Sequence, residues 1–364
     1  QYTEDSLRKH LLNLYEISCR AGGLDCGVRL NEAGREVASY LYENMREAGL
    51  DNVRQQFFTT ARWWPEEYSL SIHEDGQDKP IVAFPLWYTK GIENTVLEVV
   101  DVGYGTSGEM RGKDIKGKAA LLHMKRIFHF IQTFERTGAL EKLLKRGAAA
   151  VIVMDELHNV PGGMLAVSHK EVMKSGGKVA PIFPLPCMSI GKADGQELLR
   201  RMATGKALVK IHLKVSVSEA EASNIIGEIP GNGESPEIII VGGHYDSWFG
   251  GALDNLASQA GLIELARHFA SLPLSKRPRK IIFASIFGHE FGNQGHMALA
   301  EELRPFKDRI TCFYDVDGSG SVGWEVDHEG RIFETGYNDI YGIVASSNAL
   351  AKLRRILGDD LFVR

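Results

Sequence analysis

Histidine and acidic residues follow three apolar runs in the second half of the chain, where they could bind metal ions. Each run has the length and composition of a buried strand and is bounded by residues typical of turns. The runs and the residues that follow them are Ile238–Val241 with His244, Ile281–Phe287 with Glu290, and Ile310–Val316 with Asp317. A fourth acidic residue, Asp254, lies between Gly251 and a predicted helix at about residues 257–270. Imidazole nitrogens and carboxylate oxygens in this mixture suit Zn²⁺ or a similar divalent ion.

The order of these elements predicts that the four side chains meet. Apolar strands that alternate with helices indicate a mostly parallel sheet with helices on both faces. In such a sheet, sites form beyond the carboxyl ends of the strands, which is where His244, Glu290 and Asp317 occur. Any one of these residues alone is more typical of a turn or a helix cap. The four together, in this order, favour metal binding over that interpretation.

The residues around these positions resemble a known family. The matching segments are His244–Ser247, Gly251–Asn255, Phe287–Gly292 and Asp315–Asp317. Together they resemble the co-catalytic dizinc exopeptidases of clan MH, of the aminopeptidase Y, plasma glutamate carboxypeptidase and glutamate carboxypeptidase II type. The resemblance implies an α/β fold with a mostly parallel mixed sheet flanked by helices. It also implies two divalent metal ions, expected to be zinc, and a small peptide or amide as the substrate.

The resemblance further implies a role for each predicted ligand. His244 and Asp317 would bind one ion, Glu290 would bind the other, and Asp254 would bridge the two. A strained peptide bond would follow Asp254. Asp246 would orient His244 with its carboxylate, and a simple turn residue is the alternative for Asp246. Two ions held about 3.5–4 Å apart can activate a shared water and stabilise the oxyanion of an attacked amide.

The sequence departs from the family at His289, which occupies the usual general-base position before Glu290. The family has a glutamate there. An imidazole can accept a proton near neutral pH, but it brings no negative charge to a site with two cations. Three outcomes stay open for His289: a histidine base, a third metal ligand, or weak peptidase activity. His296 adds a second imidazole nearby, at a spacing that does not form the His-Glu-x-x-His helix of other zinc peptidases.

A second departure concerns the family's last ligand, a histidine well downstream of the position of Asp317. His328 is the one histidine that follows Asp317 in this sequence. We expect the chain shown to be truncated before that ligand, and this is favoured over His328 as a substitute. Asp315 stands where the family usually has asparagine, and it receives no ligand role.

Three segments are predicted from changes in pattern along the chain. Residues 1–60 contain two amphipathic helices and form the N-terminal part of the peptidase domain. Residues 61–220 contain short strands with many Gly and Pro turns, and they resemble the protease-associated domain, a β-rich module inserted into several peptidase families. Residues 221–364 form the metal-binding peptidase domain, with the truncation described above.

Composition and charge exclude several other classes of protein. The 364 residues carry a net charge of −5, which gives no general basic surface for nucleic acid. No apolar run approaches the roughly 20 residues of a membrane span. A homo-oligomer is compatible with the sequence.

The cysteines bear on localisation. There are four, well dispersed, and no Asn-x-Ser/Thr motif occurs, which together favour a cytoplasmic setting. Secretion stays open, because a leader before Gln1 could have been removed. A local bridge between Cys19 and Cys26 also stays open, while Cys312 is predicted to be a buried small hydrophobe.

The leading interpretation is a metal-dependent hydrolase of peptide or amide bonds, most like an aminopeptidase or a small-peptide exopeptidase. A metal-activated water would attack the bond. Two alternatives stay open. One is a non-peptide amide hydrolase or another metal-assisted reaction, suggested by His289. The other is a catalytically silent, receptor-like relative that uses the predicted insert for protein contacts.

Overall fold

Two amphipathic helices open the chain. The computed structural model describes residues 4–124, 132–156, 161, 182–318, 322–326 and 332–338. The two helices are α1 (Glu4–Cys19) and α2 (Glu32–Glu47). α2 begins where the side chain of Asn31 accepts a hydrogen bond from the backbone N–H of Gly34, which satisfies one of the unpaired donors of the first turn. The prediction of two amphipathic helices in residues 1–60 is confirmed.

A long antiparallel ribbon follows the helices. It consists of β1 (Asp51–Glu74) and β8 (Leu208–Ile229). The pairing runs from Asp51 opposite Glu228 to Ile72 opposite Val209, with two irregularities along the way. On its other edge, β8 pairs with β4 near its start and with β10 near its end. The ribbon therefore connects two groups of strands that are described next.

The first group of strands is mostly parallel. Its elements are β2 (Gln77–Ile81), β3 (Ala83–Pro85), β4 (Ile92–Asp101), β5 (Ala119–Met124), α3 (Gln132–Lys145), β6 (Ala150–Asp155), β7 (Cys187–Ile190) and α4 (Lys192–Thr204). β4, β5, β6 and β7 pair in parallel in that order, and β3 joins β7 in the antiparallel sense. The prediction of short strands in residues 61–220 is confirmed, while the two ends of that segment belong to the long strands β1 and β8 of the ribbon.

The second group carries the predicted metal ligands. Its elements are β9 (Ile238–His244), α5 (Ala257–Ser271), β10 (Lys280–Ile286), α6 (Gln294–Leu303) and β11 (Ile310–Asp315). The spatial order is β11-β9-β10-β8, and β9 pairs in parallel with both β10 and β11. Within the described ranges the two groups and the ribbon form one eleven-stranded mixed sheet, and β12 (Val322–Val326) and β13 (Ile332–Asn338) form a separate hairpin.

Helices cover both faces of β9 and β10, which explains their continuous apolar sequence. On one face, Phe283 of β10 packs in a cluster with Leu41 of α2 and Ile263 of α5. On the other face, Ile282 packs in a cluster with Leu299 of α6. The prediction of a sheet covered on both faces is confirmed for these two strands.

β11 differs from the prediction. The run from residue 310 to 316 is predicted to be buried, but Phe313 and Tyr314 are 42% and 49% exposed. Cys312 is half-buried rather than buried. These predictions are wrong because β11 lies at the edge of the sheet, as far as the described residues form it, and pairs on one side with β9.

The predicted insert is not separated from the rest of the sheet. Its boundaries, at residues 60/61 and 220/221, fall inside β1 and β8, and the ribbon runs through both without a break in its pairing. The assignment of residues 61–220 to a protease-associated domain stays a prediction.

Two further observations concern the membrane and the cysteines. None of the described helices is long and apolar enough to cross a membrane. Cys19 and Cys26 are free thiols, and the Sγ of Cys26 lies 3.4 Å from the carbonyl oxygen of Cys19, to which it donates a hydrogen bond.

Candidate metal centre

The centre lies at the carboxyl ends of β9, β10 and β11. His244 is the last residue of β9 and stands in register with Ile286, the last residue of β10. Asp315 ends β11, two residues before Asp317. Because the three strands are parallel, the loops that follow them leave the sheet at the same edge. The sequence-based prediction that these strand ends converge agrees with this arrangement.

His244 is the buried centre of the group. Its Nε2 lies 3.1 Å from Oδ1 of Asp254 and 3.5 Å from Oδ1 of Asp317. That nitrogen is shielded from solvent and makes no hydrogen bond of acceptable geometry. Zinc bonds of about 2.0–2.2 Å at tetrahedral angles place two ligand atoms about 3.3–3.6 Å apart. Each of these two pairs of atoms therefore has the spacing of two ligands of one divalent ion.

The electrostatics of His244 also favour a cation. Burial alone would lower the pKa of this imidazole, but the Asp246, Asp254 and Asp317 carboxylates raise it well above its ordinary value. The same negative potential that stabilises an imidazolium would stabilise a metal ion beside the neutral ring.

Asp246 holds the centre together through its backbone and its side chain. The carbonyl oxygen of Asp246 lies 2.9 Å from Nδ1 of His244, which leaves Nε2 facing the carboxylates. The fully buried Asp246 carboxylate accepts hydrogen bonds from the backbone N–H groups of Gly288, His289 and Glu290, at 2.8, 3.1 and 2.9 Å. Burial alone would raise the pKa of Asp246, but the adjacent His244, followed by His289 and the backbone N–H of Glu290, holds it below its ordinary value. The carbonyl oxygen of Asp246 thus orients His244, and Oδ1 of the carboxylate lies 3.5 Å from the same Nδ1. The carboxylate also positions the loop after β10.

Asp254 lies in an irregular loop between β9 and α5. The chain turns at Gly251, where φ is +63° and an added Cβ would lie 2.3 Å from the side chain of Ser247, so the turn requires glycine. The peptide bond between Asp254 and Asn255 is cis. The Asn255 amide donates to the carbonyl oxygen of Val316 at 2.9 Å and accepts from the N–H of Gly318 at 3.2 Å. These two hydrogen bonds hold the loop that carries Asp254 against the backbone on either side of Asp317.

Glu290 is positioned by an indole. The Nε1–H of Trp248 donates a 2.8 Å hydrogen bond to Oε2 of Glu290. Trp248 itself packs edge-to-face against Trp87 and Phe291, with ring centroids 4.8 and 4.9 Å away. Burial, followed by the nearby Asp254 carboxylate, raises the pKa of Glu290 to about 8. A cation at this position would stabilise the charged carboxylate.

The imidazole ring of His289 packs on the imidazole ring of His244. The two rings are stacked 4.4 Å apart at an angle of 21°. Burial and the adjacent His244 lower the pKa of His289. The ring of His296 lies 5.8 Å from that of His289, and Nε2 of His296 is 3.7 Å from Oδ2 of Asp315.

Two sets of three residues have the geometry to hold a metal ion. One is His244, Asp254 and Glu290, and the other is His244, His289 and Asp317; within each set the ligand atoms lie within 4.8 Å of one another. The structure therefore brings together all four predicted ligands and His289. His328 lies outside the described residues. The contact of Trp248 with Glu290 was not predicted, because the two residues are 42 positions apart in the sequence. The one available signal was that Trp248 is an aromatic residue close to the end of a predicted strand.

Comparison with known proteins shows that parts of the chain are similar to peptidases. Residues 224–353 match Peptidase family M28. Aminopeptidase NAALADL1 of Mus musculus is 37% identical over 114 residues, which are 30% of this chain and 15% of that protein. Carboxypeptidase Q of Homo sapiens is 24% identical over 213 residues, 57% of this chain and 43% of that protein. The chain thus spans less than half the length of these relatives, and the resemblance to zinc exopeptidases is confirmed.

Solved structures have the same fold. BSAP, a zinc aminopeptidase from Bacillus subtilis, has a TM-score of 0.63 and 25% identity, and the match covers 86% of this chain and 70% of that one. A Peptidase M28 precursor from Shewanella amazonensis has a TM-score of 0.67 at 18% identity, covering 90% and 78%. The predicted α/β fold with a mixed sheet flanked by helices is confirmed.

Proposed function

Since residues 224–353 belong to peptidase family M28, we propose that this chain carries the metal centre of an exopeptidase that hydrolyses peptide bonds, most like an aminopeptidase. One observation carries the proposal. The buried Nε2 of His244, which makes no hydrogen bond, faces the carboxylates of Asp254 and Asp317 at the spacing of metal ligands. A structural histidine would instead be hydrogen-bonded through both nitrogens.

Each side chain of the centre has a distinct part in binding. His244 and Asp317 would hold one divalent ion, Glu290 would hold a second, and Asp254, which groups with His244 and Glu290, would contribute to both. Nitrogen and oxygen donors of this kind suit zinc. Bound there, two ions would supply an activated water and stabilise the negative charge that develops on an attacked amide oxygen.

The exposure of the carboxylates agrees with a site that is open to a substrate. The side chains of Asp254 and Asp317 are 59% and 48% exposed, while those of His244 and Asp246 are almost wholly buried. The buried residues fix the geometry, and the exposed ones face the side from which a peptide can enter. An aminopeptidase is favoured over a carboxypeptidase because NAALADL1, at 37% identity, is named an aminopeptidase, and so is the structural neighbour BSAP.

The test uses the full-length protein with aminoacyl-p-nitroanilides and the same compounds acetylated on the amino group. We expect hydrolysis of the free compounds, loss of activity with a zinc chelator, and recovery on addition of Zn²⁺. Asp254→Asn should lower the activity by at least about 100-fold, because the bridging charge is removed. Asp308, an exposed residue in the turn before β11, provides the matched control: Asp308→Asn should leave the activity unchanged.

Two results would contradict the proposal, and each would favour a different function. A protein that binds no divalent metal and is indifferent to chelators would be a silent, receptor-like relative. A protein that binds metal but cleaves acetylated or non-peptide amides in preference to free aminoacyl compounds would be a different amide hydrolase.

A further inference from the structure

We propose that His289 is a ligand of the metal ion held by His244 and Asp317, and not the base that its place in the sequence suggests. The inference rests on the proposed function, since it assigns a residue to the metal centre of that enzyme. It concerns a position where the chain departs from the dizinc exopeptidases that it resembles.

The position of the His289 ring is the first argument. A nitrogen of His289, a nitrogen of His244 and a carboxylate oxygen of Asp317 lie within 4.8 Å of one another. The two imidazoles are stacked at 4.4 Å and are nearly parallel. The lone pair of an imidazole lies in the plane of its ring, so a turn of the His289 ring out of the stack would direct its nitrogen at the ion beside His244.

The backbone fixes this position. The backbone N–H of His289 donates a hydrogen bond to the Asp246 carboxylate. The carbonyl oxygen of the same Asp246 lies within hydrogen-bonding distance of Nδ1 of His244. One buried residue therefore sets the placement of both histidines. The neighbouring Glu290 is held separately by Trp248, and it belongs to the set that contains Asp254.

The donor count is the third argument. With His289, the ion at His244 would have two imidazoles and the Asp317 carboxylate as protein ligands, beside the bridging Asp254. Imidazole nitrogens and carboxylate oxygens are common ligands of zinc. Glu290 would hold the second ion on the other side of the bridge. His289, which stands where the family has a glutamate, would thus add a metal ligand and leave the site without the usual carboxylate base.

His296 is the matched control for this argument. Its ring lies 5.8 Å from that of His289, and its Nε2 lies near Asp315. Neither three-residue set of the described centre contains it. A general effect of removing an imidazole from this region would appear in His296→Ala as well as in His289→Ala.

The experiment measures metal binding directly, without an activity assay. Full-length wild type, His289→Ala, His289→Phe and His296→Ala are stripped of metal and titrated with Zn²⁺, and bound metal is counted by elemental analysis. The visible spectrum of the Co²⁺ forms reports the ligands. His289→Phe keeps a planar ring that can stack on His244 but offers no nitrogen, so it replaces His289→Ala if the latter does not fold.

We expect both His289 variants to bind one ion at least about 10-fold more weakly, and their Co²⁺ spectra to change. His296→Ala should bind as the wild type does. The proposal is overturned if the His289 variants bind both ions with wild-type affinity and an unchanged spectrum, which would leave His289 as a base. A wild type that binds no metal would instead contradict the proposed function, so the two failures are distinguishable.

Discussion

Asp246 shows how one buried residue can serve two segments at once. Its carbonyl oxygen orients His244, and its carboxylate accepts three backbone N–H groups after β10. The resemblance implied that the carboxylate orients the histidine, and sequence alone could not show that the backbone carbonyl contacts the same nitrogen. Which oxygen of an aspartate meets a given partner depends on how the chain turns, and residue type carries no information about that.

The Asp246 carboxylate can be tested by Asp246→Asn. Asparagine offers one acceptor oxygen, and its NH₂ group would face a backbone N–H, so at least one buried donor loses its partner. We expect a loss of about 3 kcal/mol in the free energy of unfolding of the metal-free protein. Urea denaturation measures it, with Asp308→Asn as the control. Equal stabilities of the two variants would contradict this role.

The hydrogen bond from Trp248 to Glu290 leads to a second prediction. Trp248→Phe keeps an aromatic ring against Trp87 and Phe291 but removes the N–H that holds Oε2 of Glu290. We expect metal affinity to fall about 10- to 100-fold, because partners of this kind orient a ligand.

Zn²⁺ titration measures the affinity of this variant. Trp64→Phe is its control, since Trp64 also packs against Trp87 and has no described contact with Glu290. A wild-type affinity in Trp248→Phe would show that the hydrogen bond is dispensable.

At the scale of elements, strand ends were more predictable than strand lengths. The ligands follow β9 and β10, whose apolar runs are unmistakable because helices cover both of their faces. The ribbon was predicted only in pieces, since β1 and β8 alternate between buried and exposed residues and contain charged stretches. The exposure of β11 could not be predicted, because an apolar run looks the same in a central strand and at an edge.

The carboxyl ends of the first strand group hold a charged cluster that predicts a pH dependence. His123 of β5 has Nε2 2.9 Å from Asp101 and Nδ1 3.1 Å from Glu156. The contact with Asp101 raises the pKa of His123 above 6.5, and the contact with His123 lowers the pKa of Asp101 to about 2. The contribution of His123 to stability is therefore complete below pH 6.5 and is lost as pH rises through its raised pKa, and that of Asp101 is lost as pH falls towards 2.

We accordingly expect His123→Gln to be destabilising at about pH 5.5 and nearly neutral at about pH 9. The difference should not exceed about 1 kcal/mol, because solvent reaches the pair and weakens it. Urea denaturation at the two pH values measures it, and the exposed His268→Gln is the control. A cost that does not vary with pH would indicate a packing role instead.

For the whole molecule, metal binding should contribute to stability. The ligands come from separate segments after β9, β10 and β11, so an ion that binds them favours the folded chain over the unfolded one. Zn²⁺ at 100 times its dissociation constant should raise the free energy of unfolding by about 2.7 kcal/mol per site. Denaturation with and without a chelator measures the gain, which Asp254→Asn should reduce. No change on chelation would argue against occupied sites.

The ribbon also limits how the molecule can deform. Between the stretches that pair with β4 and β10, the middle of β8 has β1 as its one described neighbour in the sheet. A strip two strands wide twists more readily than a broad sheet, because fewer neighbours oppose the rotation. Rotation of one strand group relative to the other would thus be concentrated in the two-stranded middle of the ribbon. The ends of β9 and β10, which precede the ligands, would move together because they are paired with each other.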